Sequence, residues 1–312
     1  MARARITLPS PPKFSPFPAW ARPESPPKTT EDAVFLAGAA LAAIHPIARS
    51  EHPLGGLWRQ RLALLDAASL AQRAGRREDE AALRDAWYLR RAGDDPGPAG
   101  RTLRAWRALA EPAALRDEDW LLTLSARFEL RVDAGLEALV ATAARLAEGQ
   151  GAAVAAAAEI AAASLRLRPD AEPLALWLAE AVLARRLRWP AAVPLIARAM
   201  RGVARRAAPR HGADAGAWLT AVSFAYLRGA AAAADLYAEL ARRADRLLAA
   251  APKLRGRDTD ERLALLLMED ALPAKSGRTA SDRSGRRLFE RLVALGAVRE
   301  LTGRPTFRLY GL

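Results

Sequence analysis

Apolar residues recur at helical spacing along most of the chain, and glycine and proline divide this pattern into segments of helix length. The first helix is predicted to begin at Thr30, with Glu31 and Asp32 in its first turn, and to continue to Ile44. Ten further helical segments follow at about 57–74, 78–91, 101–110, 118–131, 134–148, 152–167, 172–187, 191–206, 214–228 and 230–250. No repeat of about 34 to 45 residues is present. The pattern therefore predicts an all-α protein, either an irregular multi-helix bundle or a short α-solenoid.

The apolar stripes indicate which side chains enter the core. In the segment 57–74, one stripe contains Trp58, Leu62, Leu65 and Ser69. Four polar residues of the same segment are assigned away from that stripe: Arg59, Gln60, Asp66 and Arg73. The alanine-rich stretch 152–163 is predicted to lie in the interior, because small side chains allow helices to approach closely.

The last 32 residues, 281–312, show the only pattern that predicts β-structure. A helix with apolar residues at 288, 289, 292, 293 and 295 ends at Gly296. Strands at 298–301 and 306–310 follow, joined by a turn at 302–305. This arrangement is typical of the second half of a winged helix-turn-helix. The preceding stretch 272–280 is too short and turn-prone to supply a good second helix.

Three segments of different composition are predicted. Residues 1–29 contain eight prolines and form an extended tail, whose residues Phe14, Phe17 and Trp20 either pin it to the helical body or dock a partner. Residues 30–257 form the all-helical domain, which ends in a linker at 251–257. Residues 258–312 form a winged-helix-like module.

Composition restricts the function only loosely. The chain has 312 residues and a hydrophobic content of 51%, which predicts a globular protein. Its formal net charge of +13 favours binding to anionic partners. Only four of its 48 basic residues are lysines, and an arginine and alanine bias of this kind also arises in GC-rich genomes. The absence of cysteine excludes disulfides and thiolate metal sites. We expect a cytoplasmic bacterial protein without a membrane span, because the apolar run 33–44 is short.

The usual catalytic motifs are absent from the sequence. The three histidines, His45, His52 and His211, lack the spacing of a zinc pair, and no phosphate-binding glycine loop or GxSxG motif occurs. Six acidic residues could bind a divalent cation or act as acid and base, but their positions also suit helix starts and turns. They are Glu78, Asp79, Glu80, Asp85, Asp94 and Asp95. We predict no cofactor and no metal site.

Basic residues are concentrated near the C-terminal end. Between residues 273 and 312 there are nine basic and three acidic residues. The candidate nucleic-acid-binding residues are Arg283, Arg286, Arg287, Arg291, Arg304 and Arg308. In a winged helix, Arg283 and Arg287 would face the bases of double-stranded DNA, and Arg304 would contact the DNA backbone. Two other arginine groups, one at 198, 201 and 205 and one at 242–257, could hold phosphates or form a solvated face.

Several blocks of the sequence resemble a known family. They are WRQRLAL (58–64), GRREDEAALRDAW (75–87), GDDPGPAGR (93–101), LARRLRWPAAVPL (183–195), APKLR (251–255) and RRLFERLVALGAVRELTGRPTFRLYGL (286–312). Together they resemble the bacterial domain of unknown function family 1403, which implies no activity. The last block also resembles the C-terminal winged helix of Fic-type proteins, but the Fic motif HPFxxGNGR is absent, so adenylylation is not implied.

Three hypotheses for the function follow. The first is a non-enzymatic, DNA-associated or regulatory accessory protein that binds through its C-terminal module. The second is a helical protein-interaction scaffold or dimerisation protein. The third is an enzyme of unrecognised type that uses the acidic cluster at 78–95 together with Arg101.

Overall fold

The computed structural model describes residues 10–23, 25–91, 93–116, 120–200, 214–254, 259–274, 282–304 and 306–312. Within these residues the protein is mainly helical. The first ten helices are α1 (Thr30–Ala48), α2 (Pro53–Arg73), α3 (Glu80–Tyr88), α4 (Gly97–Leu109), α5 (Ala113–Arg116), α6 (Trp120–Phe128), α7 (Ala134–Glu148), α8 (Ala153–Leu167), α9 (Glu172–Arg186) and α10 (Ile196–Ala199). The predicted all-α class is confirmed.

The C-terminal part combines helices with a small sheet. Its elements are α11 (Ala215–Ala250), α12 (Thr259–Leu266), β1 (Leu272–Pro273), α13 (Asp282–Ala294), β2 (Arg299–Glu300) and β3 (Leu309–Gly311). The sheet has the order β1-β3-β2, with both pairs antiparallel. The predicted hairpin is therefore present. The stretch considered as a weak second helix begins instead as strand β1, and residues 275–281 lie outside the described part of the chain.

Long helices build the core by packing lengthwise. Helix α1 lies along α11, α8 lies along α9, and α2 packs against α4. Helix α9 is buried from Leu174 to Ala184, because other helices cover it on all sides. The alanine-rich helix α8 buries Val154, Ala157, Ile160 and Ala161, which confirms its predicted interior position.

Two predicted helix boundaries are wrong for one physical reason. The break expected at Gly229 does not occur, because α11 continues through this residue. A helix expected at 191–206 is absent up to residue 200, where the chain is irregular and buried and forms only the four-residue helix α10. A Cβ atom at Gly229 would lie 2.3 Å from the backbone oxygen of Leu195. The glycine therefore provides room for the irregular segment to pack against α11.

The N-terminal tail lies on the helical body. Phe14 packs edge-on against Tyr237 of α11, with ring centroids 5.5 Å apart. Arg22 forms a two-pronged ion pair with Asp235, at 2.7 and 2.9 Å, and its guanidinium group lies over the ring of Phe17. In the described part of the tail, aromatic and charged contacts thus attach the proline-rich chain to α11.

Helix α1 is longer than the apolar run at 33–44 suggests. With 19 residues it is long and apolar enough to span a membrane by length and composition alone, and 39% of its most apolar window is buried inside the protein. It packs against α11 through Ala33, Ala37, Ala40, Leu41 and Ile44. The contact with α11 thus covers the apolar residues on one face of α1.

Candidate functional site

Helix α13 carries most of the arginines that were predicted to bind nucleic acid. Phe289 and Leu292 are fully buried, and Phe289 stacks on Tyr310 of β3 with ring centroids 4.4 Å apart. The opposite face exposes Arg286, Arg287 and Arg291. Since residues 287 and 291 are four apart, their side chains share one side of the helix. The side chain of Arg283, predicted to face DNA bases, lies outside the described part of the structure.

The hairpin arginines have partners within the protein. Arg304 forms an ion pair of 2.5 Å with Asp85 of helix α3, and Arg308 donates from Nε to the backbone oxygen of Arg304 at 3.0 Å. Glu300 accepts hydrogen bonds from the amides of Thr302 and Gly303, which fixes the start of the turn. The tip of the hairpin is therefore held against the helical body, while both arginine side chains keep contact with solvent.

A buried charge cluster joins the C-terminal elements to the helical body. Asp270, which precedes β1, is completely buried and faces one arginine from each of α2, α3 and α4. Arg61 contacts one carboxylate oxygen, and the other lies 2.9 Å from Arg84 Nε and 3.6 Å from Arg107 Nη2. Arg61 also donates to the backbone oxygen of Asp270 at 3.2 Å. We call these four residues the Asp270 cluster.

The Asp270 cluster keeps its carboxylate charged although it lies in the interior. Burial alone would raise the pKa of Asp270, but the charges of Arg61, Arg84 and Arg107 outweigh burial and lower this pKa. Aromatic groups extend the cluster, since Arg107 lies 4.6 Å from the ring centroid of Trp87 and donates to the Tyr88 hydroxyl at 3.2 Å. One carboxylate thus balances three buried guanidinium groups, and its removal would leave their charge uncompensated.

A second buried group of polar side chains lies inside the helical body. Glu180 of α9 accepts hydrogen bonds from the amides of Leu195 and Ile196, at 2.6 and 2.7 Å. Asp66 of α2 accepts from the amides of residues 197 and 198, at 3.2 and 3.1 Å. The two carboxylates thus satisfy four successive backbone donors of the irregular segment. Its structure is fixed by side chains where regular hydrogen bonding is missing.

Burial changes the acidity of this second group. It raises the pKa of Asp66, and it raises the pKa of Glu180 well above its usual range, with a further contribution from the neighbouring Asp66 charge. The pKa of the buried Tyr226 hydroxyl is also raised, by burial and by both carboxylates.

The expected position of Asp66, away from the apolar stripe, is wrong, because α2 is covered by α4 on one side and by α10 and α11 on the other.

Three of the acidic residues at 78–95 have separate structural contacts. Asp79 caps α3 by accepting from the Ala82 amide at 2.8 Å, while Asp95 accepts from the Gly97 amide and pairs with Arg101. Asp85 faces the hairpin, as described above.

The histidines also have structural contacts, since His45 accepts from Trp189 and His52 caps α2, while His211 lies outside the described residues.

The helical spacing contains a signal for the buried charges that the assignment of Asp66 away from the apolar stripe does not use. Asp66 is four residues after Leu62 and continues the same stripe, so it lies on the buried face. Arg61 follows Leu57 at the same spacing, and Arg107 follows Leu103. Charged residues are almost never fully buried unless they are paired, so a single charged residue inside an apolar stripe indicates a buried ion pair or hydrogen bond. No signal in the sequence indicated which arginines would meet Asp270, because their contacts span 163 to 209 positions.

Comparison with known proteins gives a family but no activity. No curated protein matches the chain. A family model described as Protein of unknown function (DUF1403) matches residues 7–312, nearly the whole sequence, as the resemblance of the quoted blocks indicated. The chain belongs to this family.

Proposed function

We propose that the protein is a non-enzymatic regulatory or accessory factor that binds double-stranded DNA through the exposed face of α13. The observation that carries the proposal is the division of this helix into two faces. Its apolar face packs on the sheet, and its other face presents Arg287 and Arg291 to solvent beside Arg286. A helix whose apolar face packs on the protein and whose exposed face is basic is suited to enter the major groove of DNA.

The connectivity of the module supports the same proposal. Strands β2 and β3 form an antiparallel hairpin directly after α13, the order expected of the last helix and the wing of a winged helix. The helix before the hairpin is then the one presented to DNA. The hairpin is attached to α3 through Arg304 and Asp85, so we expect the helix to contribute more to DNA binding than the hairpin tip does.

The test compares two pairs of arginine substitutions that remove equal charge. Arg287→Ala with Arg291→Ala removes the proposed contacts, while Arg104→Ala with Arg166→Ala removes exposed arginines from α4 and α8. Binding of a fluorescent DNA duplex is measured by anisotropy between about 50 and 200 mM salt. We expect the first pair to weaken binding and to reduce the slope of log affinity against log salt by about 2, since each lost phosphate contact contributes about 0.9.

The control pair should retain nearly all of the affinity and of the salt dependence. Equal losses in both pairs would mean that only net charge matters, and the assignment to α13 would fail. If the unmodified protein does not bind duplex DNA even at about 50 mM salt, the proposed function is wrong.

A further inference from the structure

A groove between α11 and the C-terminal sheet combines arginine side chains with an apolar wall. It has a volume of about 410 Å³. Arg243 and Arg246 of α11 line one side, and Arg299 of β2 lies opposite them. Val293 and Val298 supply apolar surface in the same groove. The volume lies within the range of about 300–1,000 Å³ that is typical of small-molecule sites.

Among the described residues, only one of the three arginines that line the groove has an acidic partner. Glu239 pairs with Arg243 one helical turn away. Glu300 also lines the groove, and hydrogen bonds from the turn amides of residues 302 and 303 hold its carboxylate at the turn. Within the described part of the chain, no carboxylate lies at ion-pair distance from Arg246 or Arg299. The guanidinium groups of Arg246 and Arg299 therefore line the groove without an acidic partner among the described residues.

The electrostatics of Arg299 agree with this geometry. Burial lowers the pKa of its guanidinium group, and the nearby charge of Arg243 lowers it further, against a smaller opposite effect of Glu239. Like charges held together in this way favour an anion between them. The planar guanidinium fork matches the oxygens of a phosphoryl group better than any other side chain does.

We propose that this groove binds a small organic phosphate, with the phosphoryl group between Arg246 and Arg299 and an apolar substituent against Val293 and Val298. The site is separate from the exposed arginine face of α13 and does not depend on DNA binding. The mixed lining selects the ligand class, since inorganic phosphate would leave the apolar wall unused and an uncharged ligand would leave the arginines unpaired.

Phenyl phosphate is a suitable probe, and calorimetric titration of the full chain measures its binding. We expect saturable binding that is tighter than that of inorganic phosphate. Arg246→Ala and Arg299→Ala should each weaken it by about tenfold, the effect of one lost charge-assisted contact. Arg242→Ala is the matched control. This exposed arginine lies on the same helix, directly before Arg243, but it lines a different groove, the one between α11 and the N-terminal tail.

The two variants protect the test against misfolding. Arg299 lies in β2 and its loss could disturb the sheet, whereas Arg246 is an exposed residue of a long helix. The proposal fails if phenyl phosphate does not saturate the protein at about 10 mM, or if Arg242→Ala weakens binding as much as Arg246→Ala does.

A further comparison separates a small ligand from the DNA backbone as the source of the phosphate. The double variant of Arg287 and Arg291 should bind phenyl phosphate as the unmodified protein does, whether or not DNA binding is observed. If duplex DNA displaces the probe, and inorganic phosphate binds as tightly as phenyl phosphate, the groove holds a backbone phosphate and the small-ligand proposal is overturned.

Discussion

Buried polar side chains connect the helices at the scale of single residues. Three tryptophans donate their indole N–H groups to backbone oxygens of other helices: Trp58 to Ala233, Trp177 to Ala105 and Trp218 to Ala158, at 2.8, 3.1 and 2.8 Å. Each ring fills the core while its one polar atom finds a partner. The large, rigid residues thus set the distance and rotation between helices that are otherwise rich in alanine.

Glu180 allows a prediction about pH. A buried carboxyl with a raised pKa binds a proton more readily in the folded than in the unfolded protein, so it lowers stability as pH rises from its unfolded pKa, near 4.3, through its folded pKa. Glu180→Gln removes this charge and keeps an oxygen for the amides of Leu195 and Ile196. We expect the free energy of unfolding of Glu180→Gln, relative to the unmodified protein, to increase with pH.

Urea unfolding at several pH values between about 4 and 8.5 measures this difference. Glu159→Gln is the control, because Glu159 forms an exposed ion pair with Arg145 and should show no such trend. If the difference in free energy of unfolding stayed constant over this pH range, the pKa of Glu180 would be the same in the folded and unfolded protein, and the prediction would be wrong.

At the scale of elements, one glycine sets the path of a segment. Gly229 lies in the middle of α11, where alanine is normally preferred by about 1 kcal/mol. The backbone of Leu195 leaves no room for a Cβ atom there. Gly38 in the middle of α1 is the opposite case, since nothing lies within 4 Å of its Cβ position.

We therefore predict opposite effects of the same substitution. Gly229→Ala should destabilise the protein by about 1–3 kcal/mol, because the irregular segment must move away from α11. Gly38→Ala should stabilise it by about 0.5–1 kcal/mol through higher helix propensity. Thermal or urea unfolding of both variants tests the prediction. A stabilising effect of Gly229→Ala would show that the segment at 195–200 does not press on the helix.

The elements that could be predicted are those with strong local signals. Helices α7, α8 and α9 lie within one residue of their predicted bounds, because apolar periodicity, caps and breakers agree there. The prediction for the segment after Trp189 is wrong because tertiary contacts override helix propensity there, and one of its partners, Asp66, lies 131 positions away in the sequence. Strand β1 has only two residues and depends on pairing with β3, so its own sequence does not indicate it.

At the scale of the whole molecule, the Asp270 cluster connects the first and last thirds of the chain. The candidate arginines of α13 could be named from sequence because they depend on local charge and helical spacing. The cluster could not, because it exists only when three helices and the C-terminal segment are packed together. Local patterns therefore predicted the exposed candidate surface but not the buried contacts that hold it in place.

Removal of the Asp270 carboxylate should strongly destabilise the folded protein. Asp270→Ala leaves Arg61, Arg84 and Arg107 buried without their anion, which should lower the free energy of unfolding by about 3–5 kcal/mol. Because the pKa of Asp270 is lowered, its contribution is complete above the unfolded pKa of about 3.9 and is lost as pH falls through the folded pKa. The difference between the variant and the unmodified protein should therefore shrink in acid.

Asp235→Ala provides the matched control. It also removes an aspartate paired with an arginine, but that pair is exposed, so the loss should be about 1 kcal/mol or less. Urea unfolding of both variants at neutral pH and near pH 3.5 makes the comparison. Equal losses from the two substitutions would show that burial adds nothing to the interaction at Asp270.

The Asp270 cluster also has a consequence for synthesis of the protein. Arg61 leaves the ribosome 209 residues before Asp270 does, a delay of roughly 10 to 40 seconds at about 5–20 residues per second. During this time the guanidinium groups of α2, α3 and α4 have no Asp270 carboxylate to pair with. The Asp270 cluster can therefore form only after the last segment of the chain has been made.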